Sequence, residues 1–502
     1  MFLCRENELL KMNRRYKKDE MECIVIYGRR RVGKTALINE FVKDKPVIYF
    51  PALNTSARDN LTALSKAIWS FLHPDAAEAP AYASFDAAFT EITRIAKKER
   101  IVFVIDEFPY LAKADDSIPS RLQHLLDYEW KDSKLFLILC GSSMSFMEKE
   151  VLSRKSPLFG RRTAQFRIEP LTYRDAAKFH PELCPEDNAL IYGITGGVPH
   201  YINKLDVKTS IKEALLENFF DTSAYLFEEP ENLLKQELRE PAIYNSIIGA
   251  IANGAAKLNE ISLRTGIETA KCTKYISVLT ELGIIQKTIP ITEKSGRKTL
   301  YRIADNFFRF WYRFVPGNMM PVSNGSIIRL YDAAIGSYLS EYMGLVFEQI
   351  CQQYLTYYAP DLPFIISEIG EWWGGHPTEK KEVQLDIVAL SSKANNTQAG
   401  RKILIGSCKY KNELIGTDEL NLIRNYASLF TNANDKCYYY IFSKTGFTDA
   451  LLEKQKKGEV KLVTMGEMYN HIRRSMFKNS YNNCYHILNA FPIIAYSLIL
   501  SF

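Results

Sequence analysis

The sequence predicts an α/β fold for the first part of the chain. Two short runs of apolar, mostly β-branched residues indicate buried strands of a parallel sheet. The first run, 23–27, leads into a glycine-rich loop and a helical pattern, and the second, 101–105, ends in two acidic residues. Helical apolar spacing at 58–73 and 84–98 lies between them. Strands that alternate with helices are typical of an α/β sheet that binds ligands at the carboxyl ends of its strands.

The composition limits the possible protein classes. A chain of 502 residues predicts about three domains. Apolar residues at 47% and charged residues at 24% are typical of a soluble globular protein. The net charge of +6 gives no strong global attraction to nucleic acid, so any such role depends on local clusters. Nine cysteines without a C-x-x-C pair, and a start without a signal-peptide pattern, favour a cytoplasmic protein with reduced thiols.

The loop after the first strand matches the phosphate-binding pattern G-x-x-x-x-G-K-[ST]. Its residues are Gly28, Arg29, Arg30, Arg31, Val32, Gly33, Lys34 and Thr35. The glycines let the backbone wrap around a phosphate, and the N–H groups at the start of the following helix bind an anion. Lys34 is expected to reach the β- and γ-phosphates of a nucleotide, and Thr35 is expected to ligate Mg²⁺. The sequence therefore predicts ATP and Mg²⁺ as ligands.

The second strand delivers two acidic residues to the same edge of the predicted sheet. Asp106 and Glu107 directly follow the apolar run 101–105, as in a Walker B motif. Asp106 is expected to hold Mg²⁺, directly or through water. Glu107 is expected to orient and deprotonate the attacking water. The pairing of this motif with the P-loop predicts ATP hydrolysis.

Three further residues are candidates for the same reaction. The apolar run 135–141 ends in two serines, of which Ser143 is the first candidate for a γ-phosphate sensor and Ser142 the second. A Gly-Ser turn without such a role is an equal alternative. Arg161 is a candidate arginine finger, acting in its own subunit or in a neighbouring one. A solvated surface pair of Arg161 with Arg162 is the alternative, because surface arginines are common.

These motifs together resemble the archaeal-type ATPases of the AAA+/STAND assemblage. The resemblance covers roughly residues 1–230 and is carried by the P-loop, the Walker B strand, the end of the 135–141 strand and two short motifs, Arg5-Glu6 and Gly196–Pro199. It implies an AAA+-like ATPase core at 1–170 and a helical lid at 171–235. It also implies that Gly196–Pro199 lie near the nucleotide.

Residues 236–315 predict a winged helix-turn-helix. Helical patterns at 258–266 and 268–282 end at glycines, and strand-like runs at 284–289 and 299–303 flank a polar loop. Between residues 257 and 313 there are eleven Lys or Arg and five Asp or Glu. The candidate DNA contacts are Lys271, Thr273, Lys274, Arg297 and Lys298. A protein-binding module is an equal alternative, since charge alone gives only non-specific attraction. The aromatic run 307–314 is predicted to pack in a core.

Residues 316–475 resemble a PD-(D/E)XK nuclease-like domain, as found in the domain of unknown function that follows the ATPase in one archaeal-type ATPase family. Asp386 and Lys409 match that pattern, but Ser407 stands where the pattern has Glu. A neutral hydroxyl supplies no charge to a divalent cation, so a binding-only domain is favoured over an active nuclease. The acids that could compensate are Glu348, Glu368 and Glu382. The apolar tail 476–502 is predicted to pack on the protein, with a membrane anchor as the less favoured alternative.

The chain as a whole is predicted to be a Mg²⁺-dependent ATPase whose nucleotide state controls the winged helix and the nuclease-like domain. An ATP-gated DNA nuclease and a non-hydrolysing, nucleotide-dependent signalling or scaffold protein are the alternatives. DNA, a protein partner and self-association are all left open as partners.

Overall fold

A computed structural model describes residues 2–470 except 77–78, 208–209, 294–295, 297, 379 and 393–399. Arg297 of the expected wing and the apolar tail 476–502 lie outside the described residues. Within the described part, no helix combines the length and the apolar character that crossing a membrane requires.

Five parallel strands form the first sheet, in the order β2-β3-β4-β1-β5. They are β1 (Glu22–Tyr27), β2 (Val47–Pro51), β3 (Ile101–Asp106), β4 (Leu135–Gly141) and β5 (Ala164–Arg167). Every residue of β1, β3 and β4 is buried, because helices cover both faces of the sheet. This confirms the predicted α/β fold and the strands at 23–27, 101–105 and 135–141.

The helices of this part begin where the sequence offers local signals. They are α1 (Glu6–Tyr16), α2 (Lys34–Val42), α3 (Ala57–Leu72), α4 (Phe85–Ala96), α5 (Phe108–Ala114), α6 (Ile118–His124) and α7 (Met144–Phe146). Ser56 and Ser84 cap α3 and α4 by accepting a backbone N–H of the first turn. π-helical turns at Leu125–Glu129 and Met147–Val151 follow α6 and α7.

A helical segment follows the first sheet. It consists of α8 (Tyr173–Ala177), α9 (Pro185–Thr195), α10 (Pro199–Ile202), α11 (Ile211–Phe219) and α12 (Tyr225–Glu237). Thr172 caps α8 through its hydroxyl, and Gly196 ends α9 in the left-handed conformation. Gly197 must also be glycine, because a Cβ atom there would lie 2.2 Å from the Leu171 carbonyl oxygen.

Three helices and a two-stranded antiparallel sheet come next. They are α13 (Pro241–Ala252), α14 (Leu258–Thr265), α15 (Thr269–Glu281), β6 (Ile285–Thr288) and β7 (Leu300–Ile303), followed by α16 (Asn306–Phe314). Gly266 ends α14 and Gly283 follows α15, both at positive φ. The aromatic side chains of α16 are buried, which confirms that the run 307–314 packs in a core.

The second sheet is mixed, in the order β12-β11-β10-β9-β8. Its strands are β8 (Ile366–Gly375), β9 (Glu382–Ser391), β10 (Lys402–Lys409), β11 (Lys436–Ser443) and β12 (Lys461–Thr464). The pairs β8–β9 and β9–β10 are antiparallel, and the pairs β10–β11 and β11–β12 are parallel. The helices of this part of the chain are α17 (Met319–Ser323), α18 (Ile327–Leu330), α19 (Gly336–Gln353), α20 (Thr417–Ala427) and α21 (Asp449–Lys456). A 3₁₀ turn at Pro316–Asn318 and π-helical turns at Tyr331–Ile335 and Tyr354–Tyr358 link them.

The second sheet has a core of its own on one face. A larger hydrophobic core joins the other face of that sheet to α19, α16, α13 and the helical segment. It includes Tyr173 of the helical segment, Ile247 of α13, Phe307 of α16, Val346 of α19 and Leu404 of β10. The first sheet instead has a separate core on each face. The segments expected as lid, winged helix and nuclease-like domain are therefore packed on one another, whereas the P-loop sheet meets them at its carboxyl edge.

Candidate functional site

The P-loop connects the carboxyl end of β1 to the first turn of α2. Gly28 has a φ of 156°, and a Cβ atom there would lie 2.3 Å from the Ile168 carbonyl oxygen, so only glycine fits. Gly33 is the N-cap of α2 with a φ of 97°. The loop thus points backbone N–H groups and the positive end of the α2 dipole toward one place, as an anion site requires.

The Lys34 side chain is buried inside this loop. Its Nζ donates hydrogen bonds to the carbonyl oxygens of Gly28 (2.8 Å) and Arg29 (2.9 Å). Burial lowers the pKa of Lys34, and the nearby Cys140, Glu107 and Asp106 offset part of that shift. The ammonium group therefore lies inside the loop, near two acidic residues of β3 and its end.

Three oxygen-bearing side chains meet at the carboxyl edge of the sheet, those of Asp106, Thr35 and Tyr49. Asp106 Oδ2 accepts hydrogen bonds from Thr35 Oγ1 (3.2 Å) and from the Tyr49 hydroxyl (2.6 Å). Burial, with the charge of Asp106 beside it, raises the pKa of Tyr49, so this hydroxyl stays protonated and acts as a donor. Carboxylate and hydroxyl oxygens are suitable for Mg²⁺, so this donor set fits the ion that the P-loop implies. Sequence reasoning missed Tyr49, which only the pairing of β2 with β3 brings to Asp106.

Glu107 is held by Ser142. Both the amide and the hydroxyl of Ser142 donate to Glu107 Oε2, at 3.2 and 2.9 Å. Glu107 itself has a φ of 52°, a conformation that non-glycine residues adopt rarely and that is often found at functional sites. Ser143 is the N-cap of α7, and its side chain accepts no capping hydrogen bond. The second candidate of the sequence analysis, not the first, therefore contacts Glu107.

Arg161 lies at the amino-terminal end of the strands of the first sheet, whereas the P-loop lies at their carboxyl end. Arg161 precedes β5, which runs parallel to β1, and Thr163 N donates to the Cys23 carbonyl at the start of β1. Cys23 is five residues before Gly28, which is roughly 15 Å along a strand. The guanidinium of Arg161 forms a bidentate ion pair with Asp127 at 2.8 and 2.7 Å. This position argues against a finger acting in its own subunit. A finger acting in a neighbouring subunit and a surface arginine without such a role stay as the alternatives.

The three P-loop arginines each form an ion pair with a different acid from later in the chain. Arg29 pairs with Asp305, which caps α16, and Arg31 pairs with Glu229 of α12. Arg30 donates to Glu237 at 2.6 Å and to the Tyr110 hydroxyl at 2.7 Å. These pairs are the main polar connection between the P-loop and the helices that face it.

A cavity of about 920 Å³ opens beside the P-loop. Its lining includes Arg5, Gly28, Arg29, Tyr192, Gly196 and Asp305. Arg5 supports the loop from outside, because its guanidinium donates to the carbonyl oxygens of Val32 (3.3 Å) and Glu169. A Cβ atom on Gly33 would lie 4.0 Å from Pro199 Cγ, so the Gly196–Pro199 segment does border the P-loop.

A second polar cluster surrounds Asp386 in the second sheet. Ser407 Oγ is 3.3 Å from Asp386 Oδ2 and 2.7 Å from Glu419 Oε1, and Cys408 N donates to Asp386 Oδ2 at 2.7 Å. Lys409 Nζ pairs with Glu419 Oε1 at 3.2 Å. Sequence reasoning missed Glu419, which α20 brings back to β10.

Burial and neighbouring charges shift the pKa values of this cluster. Burial raises the pKa of Asp386 despite the nearby Lys409. Burial, and then the charges of Asp386 and Glu371, raise the pKa of Glu348 to about 8. Burial lowers the pKa of Lys409, but the carboxylates of Asp386 and Glu419 outweigh that effect and raise it. Of the proposed compensating acids, Glu348 is half-buried near Asp386, while Glu368 and Glu382 are exposed. Across the described residues, no group of three or more His, Cys, Asp or Glu is arranged to hold a metal ion.

Comparison with known proteins connects the P-loop region to a family. Residues 2–205 match a family described as an ATPase domain predominantly from Archaea. Residues 311–422 match a second family, described as archaeal and bacterial proteins of unknown function. A protein of Methanocaldococcus jannaschii described as uncharacterized is 34% identical over 395 residues, which are 78% of this chain and 84% of the relative.

Two further similarities are partial or distant. An ATP-binding protein of the same organism, also described as uncharacterized, is 43% identical over 47 residues, 9% of this chain and 80% of the relative. The solved Walker-type ATPase of Pyrococcus abyssi is 18% identical, with a TM-score of 0.46, over 62% of this chain and 96% of that protein.

Proposed function

The chain belongs to a family of proteins that carry an ATPase domain found predominantly in Archaea, and on this basis we propose that it is a Mg²⁺-dependent ATP hydrolase. The observation that carries the proposal is the convergence of Lys34, Thr35, Asp106 and Glu107 at one edge of the first sheet. These residues supply, in one place, a phosphate-binding cation, a pair of oxygen donors and a candidate base.

Each residue has a distinct role in the proposed reaction. The P-loop amides and Lys34 bind the β- and γ-phosphates. Mg²⁺ bound by Thr35 and Asp106 would neutralise phosphate charge. Glu107, oriented by Ser142, accepts a proton from water as the water oxygen bonds to the γ-phosphorus and the bond to the bridging oxygen of ADP breaks. The products are ADP and phosphate.

The test is ATP binding and turnover by three proteins. The wild type is expected to bind and hydrolyse Mg-ATP, Lys34→Ala to lose binding, and Glu107→Gln to bind without turnover, since an amide cannot accept the proton. Unchanged nucleotide affinity in folded Lys34→Ala would reject the P-loop assignment. Single-turnover measurement separates this function from a nucleotide-dependent scaffold, because a scaffold binds ATP but does not release phosphate.

We further propose that α13 to β7 form a winged helix that contacts duplex DNA through α15. One face of α15, Cys272, Ile276 and Leu279, is buried, while Lys271 and Lys274 are exposed on the other. That arrangement leaves a basic helix surface accessible to a groove. The hairpin is less accessible, because Ile291 N and the Arg302 side chain both bond to Glu371 of β8. A protein-binding use of the same segment remains the alternative.

Salt dependence separates these two uses. DNA affinity of the wild type is expected to fall steeply between low and physiological salt, because phosphate contacts release counterions. Lys271→Ala with Lys274→Ala is expected to weaken binding and reduce the slope by about two. The double variant Lys97→Ala with Lys98→Ala, which removes two exposed lysines after α4, is the control. Absent or salt-insensitive binding would favour the protein-binding use.

For the second sheet we propose a nuclease-like domain that binds without cutting. Ser407 occupies the place of a metal-binding acid, and Lys409 is already paired with Glu419. A specific observation favours the second candidate, ATP-gated DNA cleavage: Glu419 lies within hydrogen-bonding distance of Ser407 and returns a second carboxylate to the neighbourhood of Asp386. If the domain binds without cutting, no nicking of DNA is expected in Mg²⁺ or Mn²⁺, and the Ser407→Glu variant is expected to gain metal affinity. Nicking that is lost in both Asp386→Ala and Glu419→Gln would reject binding without cutting.

A further inference from the structure

The three P-loop ion pairs differ in what surrounds them. Glu229 is 1% exposed and also accepts a hydrogen bond from the Tyr201 hydroxyl at 2.8 Å. Arg30 is shared between Glu237 and Tyr110. Both of these pairs lie away from the cavity beside the P-loop. Arg29 and Asp305, in contrast, both line that cavity together with Gly28, the first residue of the P-loop.

Arg29 has unused hydrogen-bonding capacity at this place. One of its terminal nitrogens pairs with Asp305, while its Nε and other terminal nitrogen are buried and have no hydrogen-bond partner among the described residues. Its guanidinium lies 5.2 Å from the centre of the Phe308 ring and also interacts with the Tyr201 side chain. Buried donors without acceptors are unfavourable, and a phosphate group with several acceptor oxygens satisfies an arginine fork well. Arg29 is therefore suited to bind a second anion.

Asp305 links this arginine to the start of a helix. Its Oδ1 accepts the Phe308 N–H at 3.0 Å and caps α16, while its Oδ2 pairs with Arg29. The carboxylate is almost fully buried, so it depends on the arginine for its counter-charge. α16 follows β7 directly, so a shift at its first turn is transmitted to the hairpin of the proposed winged helix.

We propose that Arg29 is shared between Asp305 and the phosphates of a bound nucleoside triphosphate, so that ATP draws the arginine from Asp305 and loosens the first turn of α16. This inference rests on the proposed ATP-binding function and specifies its regulation. Arg30 and Arg31 keep the helical segment on the P-loop in both states. The acid thus competes with ATP for one arginine, and ATP binding is coupled to the mobility of α16.

The test combines ATP affinity with amide hydrogen exchange over residues 304–312. In the wild type, a non-hydrolysable ATP analogue with Mg²⁺ is expected to speed exchange of this segment by roughly threefold or more. Asp305→Asn keeps a capping oxygen but loses the charge, so it is expected to exchange fast with or without the analogue. It is also expected to bind the analogue roughly tenfold more tightly, which corresponds to the lower end of the range for one hydrogen bond to a charged group.

Two further variants make the test robust. Arg29→Gln removes the shared cation, and fast exchange without any response to the analogue is expected even if Asp305→Asn does not fold. Asp86→Asn removes another arginine-paired aspartate, the partner of Arg121 near the start of α4, and is expected to behave as the wild type.

The outcomes separate this inference from the function on which it rests. A wild-type protein that does not bind the analogue overturns both. A wild type whose binding is lost in Lys34→Ala, with the affinity of Asp305→Asn unchanged and the exchange of α16 insensitive to the analogue, overturns the inference alone.

Discussion

Replacing Ser142 by alanine tests how Glu107 is positioned. The hydroxyl and the amide of Ser142 are the two groups that donate to Glu107 Oε2, and only the hydroxyl is removed by Ser142→Ala. A hydrogen bond to a charged group contributes about 1.5–3 kcal/mol. Because the amide contact remains, we expect a loss near the lower end of that range. At about 1.4 kcal/mol for each factor of ten, kcat is expected to fall roughly tenfold to thirtyfold.

The assay is phosphate release at saturating Mg-ATP, together with an independent measurement of ATP affinity. Affinity is expected to change little, because the Ser142 hydroxyl donates its hydrogen bond to the proposed base. Ser143→Ala is the matched control and is expected to stay within about threefold of the wild type, a range typical of surface changes. A larger loss in Ser143→Ala than in Ser142→Ala would refute the reasoning.

Three other predictions concern ion pairs and titrating groups. Arg31→Ala leaves the buried Glu229 carboxylate without its cation and is expected to destabilise the protein by about 3–5 kcal/mol in urea unfolding; a loss below about 1 kcal/mol would contradict the pairing. Tyr49→Phe removes a hydrogen-bond donor to Asp106. The Mg²⁺ concentration that half-saturates turnover is therefore expected to rise several-fold, while kcat at saturating Mg²⁺ stays nearly unchanged. An unshifted Mg²⁺ dependence would exclude a role of Tyr49 in supporting Asp106. Burial raises the pKa of Glu348 to about 8 in the folded protein, whereas the ordinary value is about 4.5. Between these pH values the carboxyl is neutral in the folded state and ionised in the unfolded state. The free energy of unfolding should therefore decline as the pH rises from about 4.5 to about 8. Glu348→Gln should reduce that decline in unfolding midpoints measured across this range, and identical pH profiles would argue against it.

The pattern of neighbouring residues was sufficient to predict three strands of the first sheet and the P-loop. The strands at 23–27, 101–105 and 135–141 are continuous apolar runs, and such runs are strands when helices bury both faces of a sheet. The P-loop follows from glycine chemistry, because Gly28 and Gly33 occupy backbone conformations that other residues avoid. Asp106 and Glu107 reach the same edge because parallel strands end together.

Contacts between distant positions were not predictable in the same way. Ser143 and Ser142 are equivalent in the sequence, and only the turn after β4 aims Ser142 at Glu107. Arg161 could serve either subunit by its sequence, but the parallel pairing of β5 with β1 places it at the far edge. Glu419 lies twelve residues after Ser407, and the return of α20 over β10 brings the two together.

The sequence by itself therefore determined that this chain has an α/β sheet with a P-loop sequence and two acids at one edge. Those features depend on the conformational preferences and burial of neighbouring residues, which a local pattern records. The tertiary structure alone decided that Tyr49 reaches Asp106 and that Arg29 meets Asp305, 276 positions later in the chain. Such pairs depend on how whole elements pack, and no spacing along the chain specifies the partner of a charged or polar side chain.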